Sequence, residues 1–344
     1  MDDSSSKRDS SIPRDLDRTR FGPGATVTGS AGSYKIDRII GSGAAAHVAS
    51  ARNVETDDRV AIKCLRPEAL AYPEVADRFA REGRAVARLR GEHVAHVLDV
   101  GEIDDQVPFL VLEYLEGEDL ETHLATRRTL PIDEAVSYAI QVCWALEEAH
   151  GLGIVHRDVK PANLFLAVQP DGSRVLKVLD FGVSKVLDGV ETSLTKHSTL
   201  LGTAAYMSPE QLRSSKDVDA QTDVWAVGAT LYELLVGTPP FTGATVHEVM
   251  EKLATNRREL VRKARPDVPE ALERVVDRAL ARDRKDRHAT IRELADALAP
   301  FAPAPEPPAP AEPLEAPSST TLSLIGALVF LAAAVALALA AALR

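Results

Sequence analysis

Between Tyr34 and Tyr114 the apolar residues come in short runs or at every second position, in "YKIDRII", "HVASARN", "RVAIKCL", "HVLDVGEI" and "PFLVLEY". Short runs of this kind, broken by polar turns, predict β-strands. One stretch among them, "EVADRFAREGRAVARLR", has helical spacing instead. After Gly117 the period lengthens. In "PIDEAVSYAIQVCWALEEAHGLG" the apolar positions Ile132, Ala135, Val136, Ala139, Ile140, Cys143 and Leu146 repeat at three and four. Pro131 at the start, acids in the first turn and Gly151 at the end bound a helix there. A hairpin turning at Pro170-Asp171-Gly172 follows, and helical segments run from about 220 to 299. A small strand-rich part (34–114) followed by a larger helical part (118–299) predicts an α+β, bilobal domain over 34–299.

The ends of the chain differ from this middle. Residues 1–33 begin "MDDSSSKRDSSIPRDLDRTR", charged and serine-rich with no signal-peptide core, and are expected to be disordered. Residues 300–321 form a Pro/Ala-rich linker. Residues 322–343, "LSLIGALVFLAAAVALALAAAL", carry no charge and would make a helix of about 33 Å, enough to span a bilayer.

Composition narrows the function. A net charge of −11 gives no reason to expect nucleic-acid binding. Cys64 and Cys143 are far apart and outside any C-x-x-C pair, so buried free thiols are expected rather than a metal or redox site.

Candidate chemistry begins at "IIGSGAAAHVASA", residues 39–51. Gly41, Gly43 and Ala46 after a strand fit two structures. One is the phosphate-binding turn of a dinucleotide fold, and the other a glycine-rich hairpin over ATP phosphates. A dinucleotide fold needs an acid on the ribose about 20 residues further on. The chain offers Lys63 there, on "RVAIKCL", and strict strand–helix alternation is missing. "IVHRDVKPANLFL" (154–166) and "VLDFGVSK" (178–185) decide between the two.

With these motifs the chain resembles the protein-kinase superfamily, most of all the eukaryotic-like Ser/Thr protein kinases of bacteria. The resemblance covers about 34–298. It rests on the flap, Ala61-Ile62-Lys63, His156-Arg157-Asp158 with Lys160 and Asn163, Asp180-Phe181-Gly182, Ser208-Pro209-Glu210 and Asp223-Val-Trp-Ala-Val-Gly228. It implies a bilobal kinase fold that transfers the γ-phosphate of ATP to Ser/Thr hydroxyls of proteins, itself included, in bacterial signalling. The alternative is a pseudokinase scaffold, against which the intact motif residues speak. "GTAAYMSPEQ", resembling a peptide-substrate loop, disfavours a small-molecule kinase.

The resemblance also implies residue roles. Lys63 would hold the α and β phosphates, with Glu82 as its ion-pair partner. Asp158 would orient the acceptor hydroxyl and take its proton, assisted by Lys160. Asp180 and Asn163 would bind Mg²⁺ (or Mn²⁺). Ile40, Gly41, Ser42, Gly43, Val48, Ala61 and Phe165 would surround ATP, and the backbone at Glu113 and Leu115 would meet the adenine edge, with Leu112 behind. Glu210 would bridge Arg287, and Asp223 would support the catalytic loop. Two features depart from the pattern. Ala46 replaces a third flap glycine. Gly83 follows Glu82 within a helix, a weakening of roughly 1 kcal/mol against alanine, so a mobile helix and a conditional Lys63–Glu82 pair are expected.

In the loop between Phe181 and Ser208, Thr195 stands where resembling kinases carry an activating threonine, with Ser198 and Thr199 as further phosphorylation candidates. Arg157 would pair with the phosphate. Transfer between two copies implies a kinase homodimer. The 322–343 run implies a lipid-bilayer partner and a single-pass, tail-anchored protein of the cell inner membrane. Arg344 alone would bias the C-terminus inward, but the need for ATP and Mg²⁺ puts the kinase domain in the cytoplasm.

Overall fold

The computed structural model describes residues 21–43, 46–70, 73–104, 107–181, 202–213 and 218–303. The chain divides into 1–303 and 304–344. The linker from 304, the 322–343 run, Gly182 and the candidates Thr195, Ser198 and Thr199 lie outside the described residues. Among the described residues no helix is long and apolar enough to cross a membrane.

The small lobe is a six-stranded antiparallel sheet. Its strands are β1 (Thr26–Thr28), β2 (Ser33–Ser42), β3 (Ala46–Asn53), β4 (Arg59–Leu65), β5 (Val97–Ile103) and β6 (Val107–Glu113). The order is β1-β2-β3-β4-β6-β5, and a bridge between Gly29 and Gly101 joins the two ends. Ile62, Cys64 and Leu65 of β4 are buried, as expected of a strand in mid-sheet. After the short helix α1 (Pro67–Leu70), helix α2 (Pro73–Val86) contributes Phe79 and Val75 to a core with Ile36, Ile62 and Phe109.

One expectation needs correction here. Of residues 1–33, expected to be disordered, 1–20 lie outside the described residues and 21–33 do not meet that expectation. From residue 21 the chain joins the small lobe, because Val27 is buried and Asp99 of β5 gathers the segment. Its carboxylate accepts bonds from Ser30 N (3.0 Å), Ala31 N (2.9 Å) and Tyr34 Oη (2.9 Å). Desolvation works against the Asp99 charge, yet these donors, with Ser30 Oγ and Val100 N, hold its carboxyl below the usual carboxylate range. Gly83 serves close packing. A Cβ at this position would lie 2.3 Å from Leu110 Cδ2, so glycine lets α2 settle directly on β6.

Three short strands, β7 (Gly117–Asp119), β8 (Leu164–Val168) and β9 (Arg174–Val178), form a second sheet in which β8 pairs with both others. The hairpin between β8 and β9 turns at residues 169–173, where the sequence placed it. Gly117, where the chain crosses between lobes, has φ +140 and would put a Cβ 2.0 Å from Leu166 O, so only glycine fits. The large lobe contains α3 (Leu120–Arg127), α4 (Ile132–Gly151), α5 (Pro209–Arg213), α6 (Gln221–Val236), α7 (Val246–Ala254), α8 (Val261–Ala264), α9 (Glu270–Ala279) and α10 (Ile291–Leu298). Helix α4 begins and ends where its sequence signals put it. Helix α6 is buried almost throughout, with Trp225 stacked on Phe241, and forms the centre of the lobe. Helix α10 starts with Thr290 accepting from Glu293 N (3.1 Å) while Glu293 accepts from Ala289 N, a reciprocal cap.

Candidate active site

Residues 39–42 and 46–51 lie on two paired antiparallel strands, not at a helix entry. Gly41 pairs with Val48 and Ser42 with His47 across β2 and β3. The hairpin tip is held by Arg66, whose Nη1 donates to Gly43 O (3.1 Å). Beneath it lies an apolar cavity of ≈ 190 Å³. Ile40, Val48 and Ala61 form its roof, Phe165 its floor, and Glu113, Tyr114 and Leu115 its outer edge. Ile40 is 42% exposed, an apolar side chain turned to an open cleft. Gly41, Ser42 and Gly43 lie on the flap but do not line this cavity. Tyr114, Val97 and Leu179 line it and were missed, since a single apolar residue in or beside a strand reads as core.

At the inner end Lys63 and Asp180 meet. Lys63 Nζ lies 2.6 Å from Asp180 Oδ1. The expected Lys63–Glu82 pair is not formed. Glu82 sits half-buried on α2 and is otherwise partnered. Asp180 adopts the left-handed backbone (φ 59), uncommon for a residue with a side chain. Desolvation raises the Asp180 pKa, but Lys63, with His156 and Lys160, outweighs it and holds the carboxyl below its ordinary value. Phe181 behind it is buried and meets the ring of His156 edge-on, centroids 4.9 Å apart.

The loop of residues 156–163 is built around Asp158. Lys160 Nζ donates to Asp158 Oδ2 (2.9 Å) and to Thr203 Oγ1 (3.1 Å). Asn163 Nδ2 donates to Asp158 O (2.7 Å) and Oδ2 (2.9 Å). Both bonds of the Asn163 side chain thus use its nitrogen, leaving its oxygen as a ligand atom. Arg157 has φ 71, an uncommon conformation for a side-chain-bearing residue. The buried Asp223 on α6 stabilises it, accepting from His156 N (2.9 Å), Arg157 N (2.8 Å) and His150 Nε2 (2.7 Å). The expected support by Asp223 is present, and His150 is an unforeseen third partner. Arg157 Nη1 is buried with no hydrogen-bond partner among the described residues.

Beside Lys160 opens a second cleft of ≈ 590 Å³, walled by Glu121, Thr203, Tyr206, Glu233, Phe241 and Val249. Desolvation pushes Glu233 up to about 7, against the pull of the Tyr206 hydroxyl that donates to it. Glu210 and Arg287 form the pair expected from the sequence. Arg287 Nη1 and Nη2 reach the two Glu210 oxygens at 2.7 and 2.8 Å, both residues being buried. The two cysteines are free and buried, and burial pushes the Cys64 thiol up to about 12.

Oxygen donors at Asp180 and Asn163 suit Mg²⁺, which takes one or two protein ligands and completes its shell with phosphates and water. The donor set fits that ion.

The family described as Protein kinase domain matches residues 34–298. Among curated proteins, the chain is 36% identical to the serine/threonine-protein kinase pkn3 of Myxococcus xanthus, over 75% of this chain and 48% of that protein. It is 34% identical to the probable serine/threonine-protein kinase PknB of Corynebacterium glutamicum, over 76% of this chain and 41% of that protein. The chain thus spans less than half the length of these relatives. Among solved structures, the Mycobacterium tuberculosis PknI kinase domain superposes with a TM-score of 0.63 at 30% identity, covering 82% of this chain and 99% of that one.

Proposed function

The chain belongs to the protein kinase domain family, and from that premise we propose that it is a serine/threonine protein kinase, transferring the γ-phosphoryl group of ATP to protein hydroxyls. The observation that carries this reading is the group of Lys160, Asn163 and Thr203 gathered on Asp158, with Lys63 and Asp180 beside it. Phosphoryl transfer demands positioning and charge neutralisation more than covalent chemistry. Lys63 can leave Asp180 for the phosphates. Asp158 orients the acceptor hydroxyl and receives its proton, while Lys160 stays within reach of the transferred group. Mg²⁺ held by Asp180 and Asn163 would supply charge neutralisation between the phosphates. The adenine would lie between Val48, Ala61 and Phe165, with its edge on the backbone at Glu113 and Leu115. The cleft beside Thr203 would take the extended substrate chain.

The unpartnered Nη1 of Arg157 supports a phosphate on the 182–201 loop, with Thr195 first and Ser198 and Thr199 next, delivered by a second copy of the chain. The full-length protein with Mg²⁺-ATP and a generic protein substrate tests these readings together. Phosphoserine and phosphothreonine should form, and mass spectrometry should find Thr195 modified. Absence of transfer rejects the kinase reading. Unmodified Thr195 in fully active protein rejects the switch alone.

The 322–343 run supports membrane anchoring with the kinase domain on the cytoplasmic side. Eleven of its residues are Leu, Ile, Val or Phe, which at roughly −0.3 to −0.6 kcal/mol each favour insertion by about 3–7 kcal/mol. The full chain should stay with membranes through carbonate washing, and a chain ending at Pro317 should not. Full-length protein in the soluble fraction would reject the anchor.

A further inference from the structure

Lys177 is a lysine within the buried half of its strand. It lies in β9 between Leu176 and Val178, both fully buried, and is itself 7% exposed. Its Nζ donates to Glu113 Oε1 at 2.7 Å, and Val94 O lies 3.4 Å away. The same Glu113 oxygen accepts from His96 N (2.9 Å), and Glu113 N donates to His96 O (3.0 Å). None of the groups assigned to phosphoryl transfer touches this lysine. Stability does not account for it either, because the Glu113 side chain is 24% exposed and ion pairs open to water contribute little.

What the pair joins is informative. Glu113 ends β6, where the chain leaves the small lobe for the connector that edges the nucleotide cavity. The 90–96 segment, although it follows α2, is fastened to the large lobe. Arg90 N and Gly91 N donate to the Glu148 carboxylate on α4 at 2.7 and 2.8 Å. Val178 N donates to His93 O (2.8 Å), and Ala95 N donates to Val178 O (3.1 Å). His93 Nδ1 lies 3.0 Å from Leu176 O. Through Lys177 and His96 the Glu113 side chain is therefore clamped to a segment that moves with the large lobe. The peptide groups that follow Glu113 inherit that placement.

We infer that Lys177 is a positioning residue for adenine recognition: by fixing the Glu113 carboxylate against His96 N–H, it sets the connector backbone at 113–115 against which the purine edge docks. This rests on the proposed nucleotide site. A connector without the clamp samples several positions, and the base must select the competent one. The cost falls on binding of the base, not on the transfer step at Asp158.

The test uses the full chain and adenosine, which has the purine but no phosphates. Lys177→Met, Lys177→Arg and the double variant Lys177→Met/Glu113→Gln are compared. The double variant avoids leaving a carboxylate buried without its cation. Calorimetry gives the adenosine Kd, and steady-state kinetics give KM for ATP and kcat. Lys177→Met and the double variant should weaken adenosine binding and raise the ATP KM by a similar factor, about three- to tenfold, the worth of one net hydrogen bond. The change in kcat should stay below about twofold, and Lys177→Arg should recover most of the affinity. Wild-type adenosine affinity in a folded double variant, or a fall in kcat at constant KM, overturns the inference. Wild-type protein that binds neither adenosine nor ATP overturns the nucleotide site beneath it, a result the variants cannot mimic.

Discussion

Asp158→Asn is expected to bind ATP as the unaltered protein does and to transfer phosphate about 10²–10⁴ times more slowly, the usual weight of a positioned general base. The two halves of this expectation have separate structural grounds. The nucleotide cavity is lined by Ile40, Val48, Ala61 and Phe165, none of which the substitution alters. Asparagine has the shape of aspartate and can still accept from Lys160 Nζ, so the loop held by Asp223 has no reason to move. What is lost is the oxygen that takes the proton of the acceptor hydroxyl. Single-turnover transfer, with nucleotide affinity measured in parallel, separates the two. Undiminished transfer would sink the role given to Asp158. Lost nucleotide binding would mean that the carboxylate holds the loop together instead.

The second large effect concerns stability. Arg287→Ala should cost about 3–5 kcal/mol, as breaking a buried ion pair by removing one partner does, against a typical total of about 5–15 kcal/mol. Every N–H of this guanidinium is used. Besides Glu210 it reaches Ala281 O (2.8 Å), Gln221 O (3.1 Å) and Arg282 O (3.2 Å), and it lies over the Trp225 ring. The Glu210 carboxyl is pushed up by desolvation and pulled further down by Arg287, so its folded pKa lies below the ordinary one. Such a group lends stability above the unfolded carboxylate pKa and loses it as pH falls through the folded value. With Arg287 gone the sign reverses. Glu210 becomes a buried carboxylate held by Thr222 Oγ1 (3.0 Å) and its own backbone N–H without a cation, and protonation relieves it. The penalty should therefore be greatest near neutral pH and shrink on acidification. Denaturant midpoints at several pH values measure it. A loss below about 1 kcal/mol, or one independent of pH, would contradict the account.

The sequence was most legible where one residue type is demanded by chemistry. Lys63, Asp158, Asn163 and Asp180 belong to motifs whose order admits few other readings, and the fold brings them to one cleft. Strand β4 and helix α4 were legible because their periodicity is unambiguous. Contacts between distant segments were not. Nothing in "EGRAV" announces that Gly83 must admit Leu110, because the demand comes from a strand 27 residues away. Asp99 and Lys177 did leave a signal, a charged residue within a run of apolar strand positions. Such a residue needs a buried counterpart, but the sequence does not say where. The Lys63–Asp180 pair left no such signal, since the sequence offered Glu82 as a conditional partner and says nothing of how the two carboxylates share the lysine.

The bridge between Gly29 and Gly101, with Asp99 holding residues 30–34 beside it, turns the small lobe from an open sheet into a ring. An open sheet ends in a row of unpaired peptide groups, which invites another chain to add a strand. Here that template is occupied by the chain's own N-terminal segment. A partner that added a strand beside Val100 and Gly101 would first have to displace residues 29 and 30. The few residues ahead of the first motif thus protect the lobe from indiscriminate pairing.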